Sequence, residues 1–238
     1  MKPSFEELDS QETRLGELSL RRRRIRSLND IEVYEIKLGD EYLMSSLFHE
    51  AEVALTNIGL GQLDGDGWEV VVGGLGLGYT AAAALKFAQL DRLIVVEALE
   101  PVIDWHKRGL VPHGRQLGTD NRCVLCHADF FALARENGFD RKAPGFQFDA
   151  VLLDIDHTPD CWLHPSHGDF YSTAGLRRLK SFLKPNGIFA LWSNDPPEDA
   201  FLDILSRVFA NARGYPIQFD NPLQQSISTS GVYVARCR

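Results

Sequence analysis

The stretch from Asp154 to Asp169 carries the densest set of reactive side chains in the chain: Asp-Ile-Asp-His-Thr-Pro-Asp-Cys-Trp-Leu-His-Pro-Ser-His-Gly-Asp. It holds three of the seven histidines. Asp154 and Asp156 lie two positions apart, and His157 adjoins them. A carboxylate or imidazole there can take a proton from an amine, hydroxyl or acid nucleophile. That chemistry makes Asp154, Asp156 and His157 the candidate catalytic residues. Asp156, His157, His164 and His167 are also metal-ligand types, but their spacing matches no familiar metal motif, and no metal is expected. A third reading spends these Asp and His side chains on hydrogen bonds that fold the loop. The segment is long for a connection, and long loops at the edge of a sheet often carry function.

The candidate base needs a partner site, and the glycine turn from Trp68 to Thr80 supplies one. Val70, Val71 and Val72 form a short β-branched run that reads as a buried strand. Gly73, Gly74, Gly76 and Gly78 follow at once, and Ala81 to Phe87 is a good helix former. Strand, glycine turn and helix make the start of a βαβ nucleotide site, with free N–H groups at the helix N-terminus. Gly74, Gly76 and Gly78 give GxGxG; a dinucleotide fingerprint would put its last glycine at Tyr79. The next apolar run, Leu93 to Val96, ends at Glu97, about 20 residues on. An acid at that strand end can accept hydrogen bonds from both ribose hydroxyls. A solvated strand-end charge is the plainer alternative. Asp129 follows the strand that ends Cys126-His127-Ala128. It can accept from an adenine amino group, or cap the helix that starts at Phe130, or do both.

The elements behind these residues alternate. Strands are expected at Val70–Val72, Leu93–Val96, Cys123–His127, Ala150–Leu153, Ile188–Trp192, Tyr215–Phe219 and Val232–Ala235. Helices fall between them at Tyr79–Gln89, near Val102–Arg108, and at Phe130–Asn137, Tyr171–Leu183 and Glu198–Phe209. This predicts an α/β fold: a Rossmann-like, doubly wound, mostly parallel seven-stranded sheet covered on both faces. Ahead of it, Thr13–Arg22 and Ile31–Lys37 read as a small β-hairpin extension, with Ser27 to Asp30 as turn material. Lys2 to Gln11 reads as a loose terminus. Leu43, Leu47, Ala51 and Leu55 are spaced by four, which predicts a helix over Tyr42–Leu60. The domain reading is residues 1–60 for hairpin and linking helix, and 61–238 for the main domain.

Composition narrows the function. The 238 residues carry a net charge of −8, which argues against broad nucleic-acid binding. No apolar run approaches a membrane span, and Met1 to Glu7 is unlike a secretory leader, so a cytoplasmic protein is expected. Cys123 and Cys126 form a CxxC on a strand, where positions i and i+3 face opposite ways, so they read as structural cysteines. Arg21 to Arg24 with Arg26 is the basic cluster. It reads as a solvated hairpin edge, with an anionic substrate or subunit partner as the sharper alternative.

Taken together, Asp40-Glu41-Tyr42, the glycine turn, Val95-Val96-Glu97, Ala128-Asp129-Phe130, Asp154 onward, Phe170-Tyr171 and Leu183-Lys184-Pro185-Asn186-Gly187-Ile188-Phe189 resemble the spermidine synthase (polyamine aminopropyltransferase) family. Its fold is that of class I S-adenosylmethionine-dependent methyltransferases. The resemblance implies that Glu97 holds the ribose, that Asp129 holds the adenine, and that Asp154 sits beside the reacting sulfonium. Gly74, Gly76 and Gly78 then belong to the cofactor turn. The departures are specific. The family's Asp inside the glycine turn, which meets the amine of decarboxylated S-adenosylmethionine, corresponds here to Gly76. Its Tyr-His-Glu at the first helix corresponds to Met44, Ser45 and Ser46, and a Gln in the preceding strand corresponds to Glu35. Only the first Asp of its Asp-Ser-Ser-Asp-Pro loop is kept in register. Glu35, Ser45 and Ser46 are therefore the candidate substrate-binding positions. A diamine needs buried carboxylates to replace its water. Their apparent loss predicts methyl transfer from S-adenosylmethionine to a small-molecule acceptor. Aminopropyl transfer from decarboxylated S-adenosylmethionine and a non-catalytic nucleoside-binding protein are the alternatives. A homodimer is expected from the family.

Overall fold

The computed structural model describes residues 4–238. Two sheets share the chain. The first is antiparallel, in the order β1 (Phe5–Thr13), β2 (Gly16–Ile25), β3 (Ile31–Leu38), β4 (Glu41–Ser45). The second has seven strands: β5 (Trp68–Gly73), β6 (Leu90–Glu97), β7 (Cys123–His127), β8 (Phe148–Leu153), β9 (Leu183–Ser193), β10 (Ala210–Asn221) and β11 (Ser226–Arg236). Their spatial order is β10-β11-β9-β8-β5-β6-β7. β5 through β9 pair in parallel, and β10 and β11 close one edge antiparallel. The helices are α1 (Glu50–Leu60), α2 (Tyr79–Ala84), α3 (Glu100–Lys107), α4 (Gly114–Thr119), α5 (Phe130–Arg135), α6 (Thr173–Lys180) and α7 (Asp199–Ser206). The expected α/β architecture, its seven strands and its parallel centre are all present.

Alternation along the central strands divides the core. Val70, Val72, Leu93, Val95, Leu152 and Ala190 point to one face, where Leu18, Leu20 and Ile36 of the first sheet join them. Val71, Ile94, Val96, Val151, Leu153 and Phe189 point to the other, among Phe130, Phe131, Phe170, Leu176 and Leu205. Successive strand residues face opposite sides, so a continuous apolar run fills two cores at once. A Cβ on Gly59 would stand 3.0 Å from Leu152 and 3.2 Å from Ala190. α1 therefore packs directly on the main sheet.

The N-terminal region differs from expectation in three places. Lys2 and Pro3 of the expected loose terminus lie outside the described residues, but Phe5–Thr13 is a strand, not a loose end. Its acids pair across to β2: Glu7 meets Arg21 at 3.3 Å and Glu6 meets Arg22 at 2.5 Å. The basic run is therefore not a hairpin edge; β2 is an interior strand with acids on both sides, Glu32 and Glu35 of β3 included. The expected long helix from Tyr42 is instead a strand, a turn and a shorter helix. Glu41–Ser45 pairs with β3, and α1 begins only at Glu50. The hairpin is a four-stranded sheet that stands over the C-terminal ends of the parallel strands, and Met44 on β4 reaches the glycine turn.

Candidate active site

A cavity of about 1310 Å³ opens where the first sheet meets the carboxyl ends of the parallel strands. The glycine turn forms its floor. Gly74 takes φ +95°, and a Cβ there would lie 2.0 Å from the Asp154 carbonyl oxygen, so the two strand ends meet only through glycine. The Gly74 N–H donates to the Val96 carbonyl at 2.9 Å, and the Asp154 N–H to the Gly73 carbonyl at 2.8 Å. Gly76, at φ +46°, has Met44 above it: its Cβ would lie 2.2 Å from the Met44 sulfur, and the Leu77 N–H approaches that sulfur at 2.8 Å. From behind, fully buried His106 donates Nε2–H to the Gly76 carbonyl at 2.8 Å. Burial lowers the pKa of His106 to about 4, so it stays neutral and holds the turn as a hydrogen-bond donor. Gly78 precedes α2 as its cap.

Glu97 ends β6 and reaches back to the same turn. One carboxylate oxygen accepts from the Leu75 N–H at 3.0 Å, the other from the Leu99 N–H at 2.8 Å. Burial raises its pKa, and the backbone N–H groups of Leu99, Leu75, Gly76 and Ala98 oppose that rise. The side chain is therefore an organiser of the turn rather than a solvated strand-end charge. Asp129 caps α5: Oδ1 accepts from the N–H groups of Phe131 at 2.8 Å and Ala132 at 3.0 Å. Both bonds fall on one oxygen, which leaves Oδ2 for the cavity that Asp129 lines.

Asp154 leaves β8 into the same space. Its Oδ2 accepts from the Thr80 hydroxyl at 2.5 Å. Burial pushes its pKa up to about 6 against that hydrogen bond. Facing it is a residue that the sequence reading passed over. Glu52, on the first turn of α1, is 8% exposed and lines the cavity. Burial, and then the charge of Asp154, push its pKa up to about 8. Two carboxyl groups that share a recess cannot both ionise without a cation. A signal was available: Ala51 to Leu60 is apolar on nearly every side, so a glutamate there must be buried or must face a ligand.

The remaining candidates separate. Asp156 does not line the cavity. Its buried carboxylate accepts from the Leu163 N–H at 2.9 Å, His167 Nδ1 at 2.8 Å and the Tyr171 hydroxyl at 2.8 Å. It is a staple for the loop rather than a base. His157 lines the cavity and pairs with Glu41 on β4 at 2.7 Å, tying the first sheet to the loop. His164 bonds Ser166 within its own turn. Of the four residues weighed as metal ligands, Asp156 and His167 bond each other, while His157 turns to Glu41 and His164 to Ser166. Glu35 is 3% exposed and is occupied by Arg23 at 2.7 Å. Ser45 accepts from the Leu47 N–H at 3.2 Å, and Ser46 from the Tyr34 N–H at 2.9 Å. Neither serine is on a helix; the residues that lead into the first helix are Phe48, His49 and Glu50. The four cysteines are free thiols, and no helix among the described residues is long and apolar enough to cross a membrane.

No family model matches the chain. Solved structures do. The spermidine synthase from Thermotoga maritima is 17% identical and superposes with a TM-score of 0.72, covering 98% of this chain and 73% of its own. A spermidine synthase in complex with the transition state analogue AdoDATO is also 17% identical, with a TM-score of 0.73, covering 98% of this chain and 74% of its own. The chain has the spermidine synthase-like fold over nearly its whole length.

Proposed function

We propose that the protein is a transferase that moves a group from an S-adenosyl sulfonium to a small amine, and that the group is aminopropyl. The observation that carries this reading is the Glu52–Asp154 pair beside the glycine turn. The sequence favours methyl transfer because the family's polyamine-binding carboxylates are not kept in register. Glu52, on the first turn of α1, supplies one. Two recessed carboxyl groups make a poor site for a neutral acceptor and a good one for an ammonium group, which relieves their repulsion and replaces its own water.

The donor's binding site is consistent with the residues present. Glu97 at the end of β6 has carboxylate lone pairs for ribose hydroxyls, and Asp129 Oδ2 is a free acceptor at the end of β7. Decarboxylated S-adenosylmethionine would supply an electrophilic carbon on sulfur: the acceptor nitrogen bonds to it, the carbon–sulfur bond breaks, and methylthioadenosine leaves. Asp154 takes the proton that the nitrogen sheds, since a base near pKa 6 is ionised at neutral pH. Glu52 orients the amine, and Thr80 holds Asp154 in place. Alignment within the recess supplies most of the acceleration.

A specific observation favours a second reading. Gly76 and Met44 present no acid where the family's aminopropyl amine is met. Intact S-adenosylmethionine, whose carboxylate suits backbone N–H groups, would then be the donor and methyl the group moved. The test is to incubate the protein with each donor and a panel of diamines and to assay products by mass spectrometry. Methylthioadenosine with a lengthened amine supports aminopropyl transfer. S-adenosylhomocysteine with a methylated product supports the second reading. Consumption of neither donor with any amine overturns both in favour of a nucleoside-binding protein.

A further inference from the structure

β9 ends in two residues that face opposite ways. Trp192 lines the large cavity. Ser193, next along the strand, points with Phe189 and Leu191 toward the other core, where Tyr171, Phe201 and Tyr233 stand. A smaller cavity of about 140 Å³ lies there, behind the turn in which Thr158 bridges to Cys161. The loop separates the two spaces: His157 lines the large one and Thr158 the small one.

The floor of the small cavity holds an unmet polar group. Ser193 is 1% exposed, and its hydroxyl finds no hydrogen-bond partner among the described residues. A buried hydroxyl left in that state is costly, so it marks a place that a ligand completes. Around it stand three carboxylates, Asp160, Asp195 and Glu198, with no lysine, arginine or histidine among the lining residues. Asp160 accepts only from the Thr158 hydroxyl and Asp195 only from the Asn194 amide at 3.3 Å, so neither is neutralised. Tyr233 accepts from the Glu198 N–H at 2.8 Å. Burial raises the pKa of this phenol against that hydrogen bond, and the charges of Glu198, Asp160 and Asp195 raise it further. The three charges therefore converge on one spot.

Acceptors without a cation, beside apolar walls of Pro159, Pro196 and Ile204, call for a ligand with several N–H donors, a positive charge and a short hydrocarbon body. We infer that this cavity is a binding site for a primary alkylammonium ion, separate from the recess of Glu52 and Asp154. The ammonium head donates to the Ser193 hydroxyl and to the carboxylates of Asp195 and Glu198, and the carbon chain lies against the prolines. Asp160 adds its charge from the loop side. A metal ion does not suit the place, since no three acidic or histidine side chains among the described residues are grouped to hold one. A bound ammonium ties the loop to the chain after β9, where the Asn194 N–H already donates to the His157 carbonyl at 2.7 Å. It thereby braces His157 on the wall of the large cavity.

The experiment is an NMR amide-shift titration with propylammonium chloride, run beside n-propanol and potassium chloride at the same concentrations. The amides of Thr158, Asp160 and Ser193 should move to saturation with the ammonium salt alone. The same saturation is expected in the double variant Glu52→Gln, Asp154→Asn, which removes the other carboxyl pair. Asp195→Asn with Glu198→Gln, both at exposed positions, should weaken binding by about tenfold. Ser193→Ala should weaken it too, with the shifts otherwise unchanged in direction. Equal saturation by potassium chloride would mean general cation screening, and by n-propanol an apolar cleft; either overturns the site. So does loss of binding in the Glu52, Asp154 variant, which would put the ammonium in the large cavity, or a wild-type protein that never saturates. No donor enters the experiment, so its outcome stands apart from that of the transferase assay.

Discussion

Glu52 on α1 and Asp154 after β8 hold their carboxyl groups in one recess, where the charge of Asp154 helps keep Glu52 protonated. Stability is the measurable consequence. Glu52 has a pKa of about 8 in the folded chain against 4.5 for the free group. The folded state therefore keeps a proton that the unfolded chain has lost, and stability falls as pH rises from about 4.5 to 8. Glu52→Gln should remove most of that slope and gain on the order of 3 kcal/mol at alkaline pH, with little change near pH 5. Urea unfolding of both proteins at each pH checks it. Parallel curves would mean that the fold does not hold Glu52 protonated.

Asp154 and Asp156 are two residues apart and should fail in different ways. Asp154→Asn keeps an oxygen for Thr80 and removes a recessed charge, so the fold should hold while turnover drops about 100-fold or more. Asp156→Asn puts a donor among three donors, so about 2–4 kcal/mol of stability should go. Denaturation midpoints measured beside initial rates separate the two. A fully active, fully stable Asp156→Asn protein would contradict the staple.

Glu35 carries a similar contrast. Its carboxylate is 4% exposed and faces Arg23, itself 36% exposed. Arg23→Ala strands a buried charge and should cost about 1–3 kcal/mol, less than a fully buried pair because solvent screens the arginine side. Adding Glu35→Gln should recover much of that loss, since no charge is left unpaired. Acceptor KM in Glu35→Gln should match the wild-type value; a large rise would restore Glu35 to the substrate site.

The parts legible in the sequence were those with local signals. Val70 to Gly78 could be read because a β-branched run and a glycine turn are adjacent in the chain. Glu97, Asp129 and Asp154 followed because each stands at a strand end. β1 had no such signal. Phe5 to Thr13 has no apolar alternation, and its strand rests on acids that meet arginines of β2, a complement visible only across the hairpin. The spacing of Leu43, Leu47, Ala51 and Leu55 was misleading, because Leu43 belongs to a strand face and only Ala51 and Leu55 to a helix. Glu52 was hidden by the same error. On a helix that began at Tyr42 it fell beside the apolar stripe, whereas on a helix that packs against the sheet it enters the cavity. Asp156 looked catalytic because type and spacing do not say which way a side chain turns.

Met44 and Gly76 offer the sharpest test between the two donors. The Met44 sulfur fills the direction in which a Gly76 side chain would project. Gly76→Asp alone would collide with it, so the informative protein is the double variant Met44→Ala, Gly76→Asp. Aspartate tolerates the left-handed region better than most residues, and φ +46° lies close to it. The new carboxylate would meet the amine of decarboxylated S-adenosylmethionine and repel the carboxylate of the intact compound. The affinity ratio should shift toward the decarboxylated donor by about tenfold or more, read by parallel calorimetric titrations. An unshifted ratio would place the donor's amine away from the turn, and Glu52 and Asp154 would be left as the carboxyl groups able to receive it.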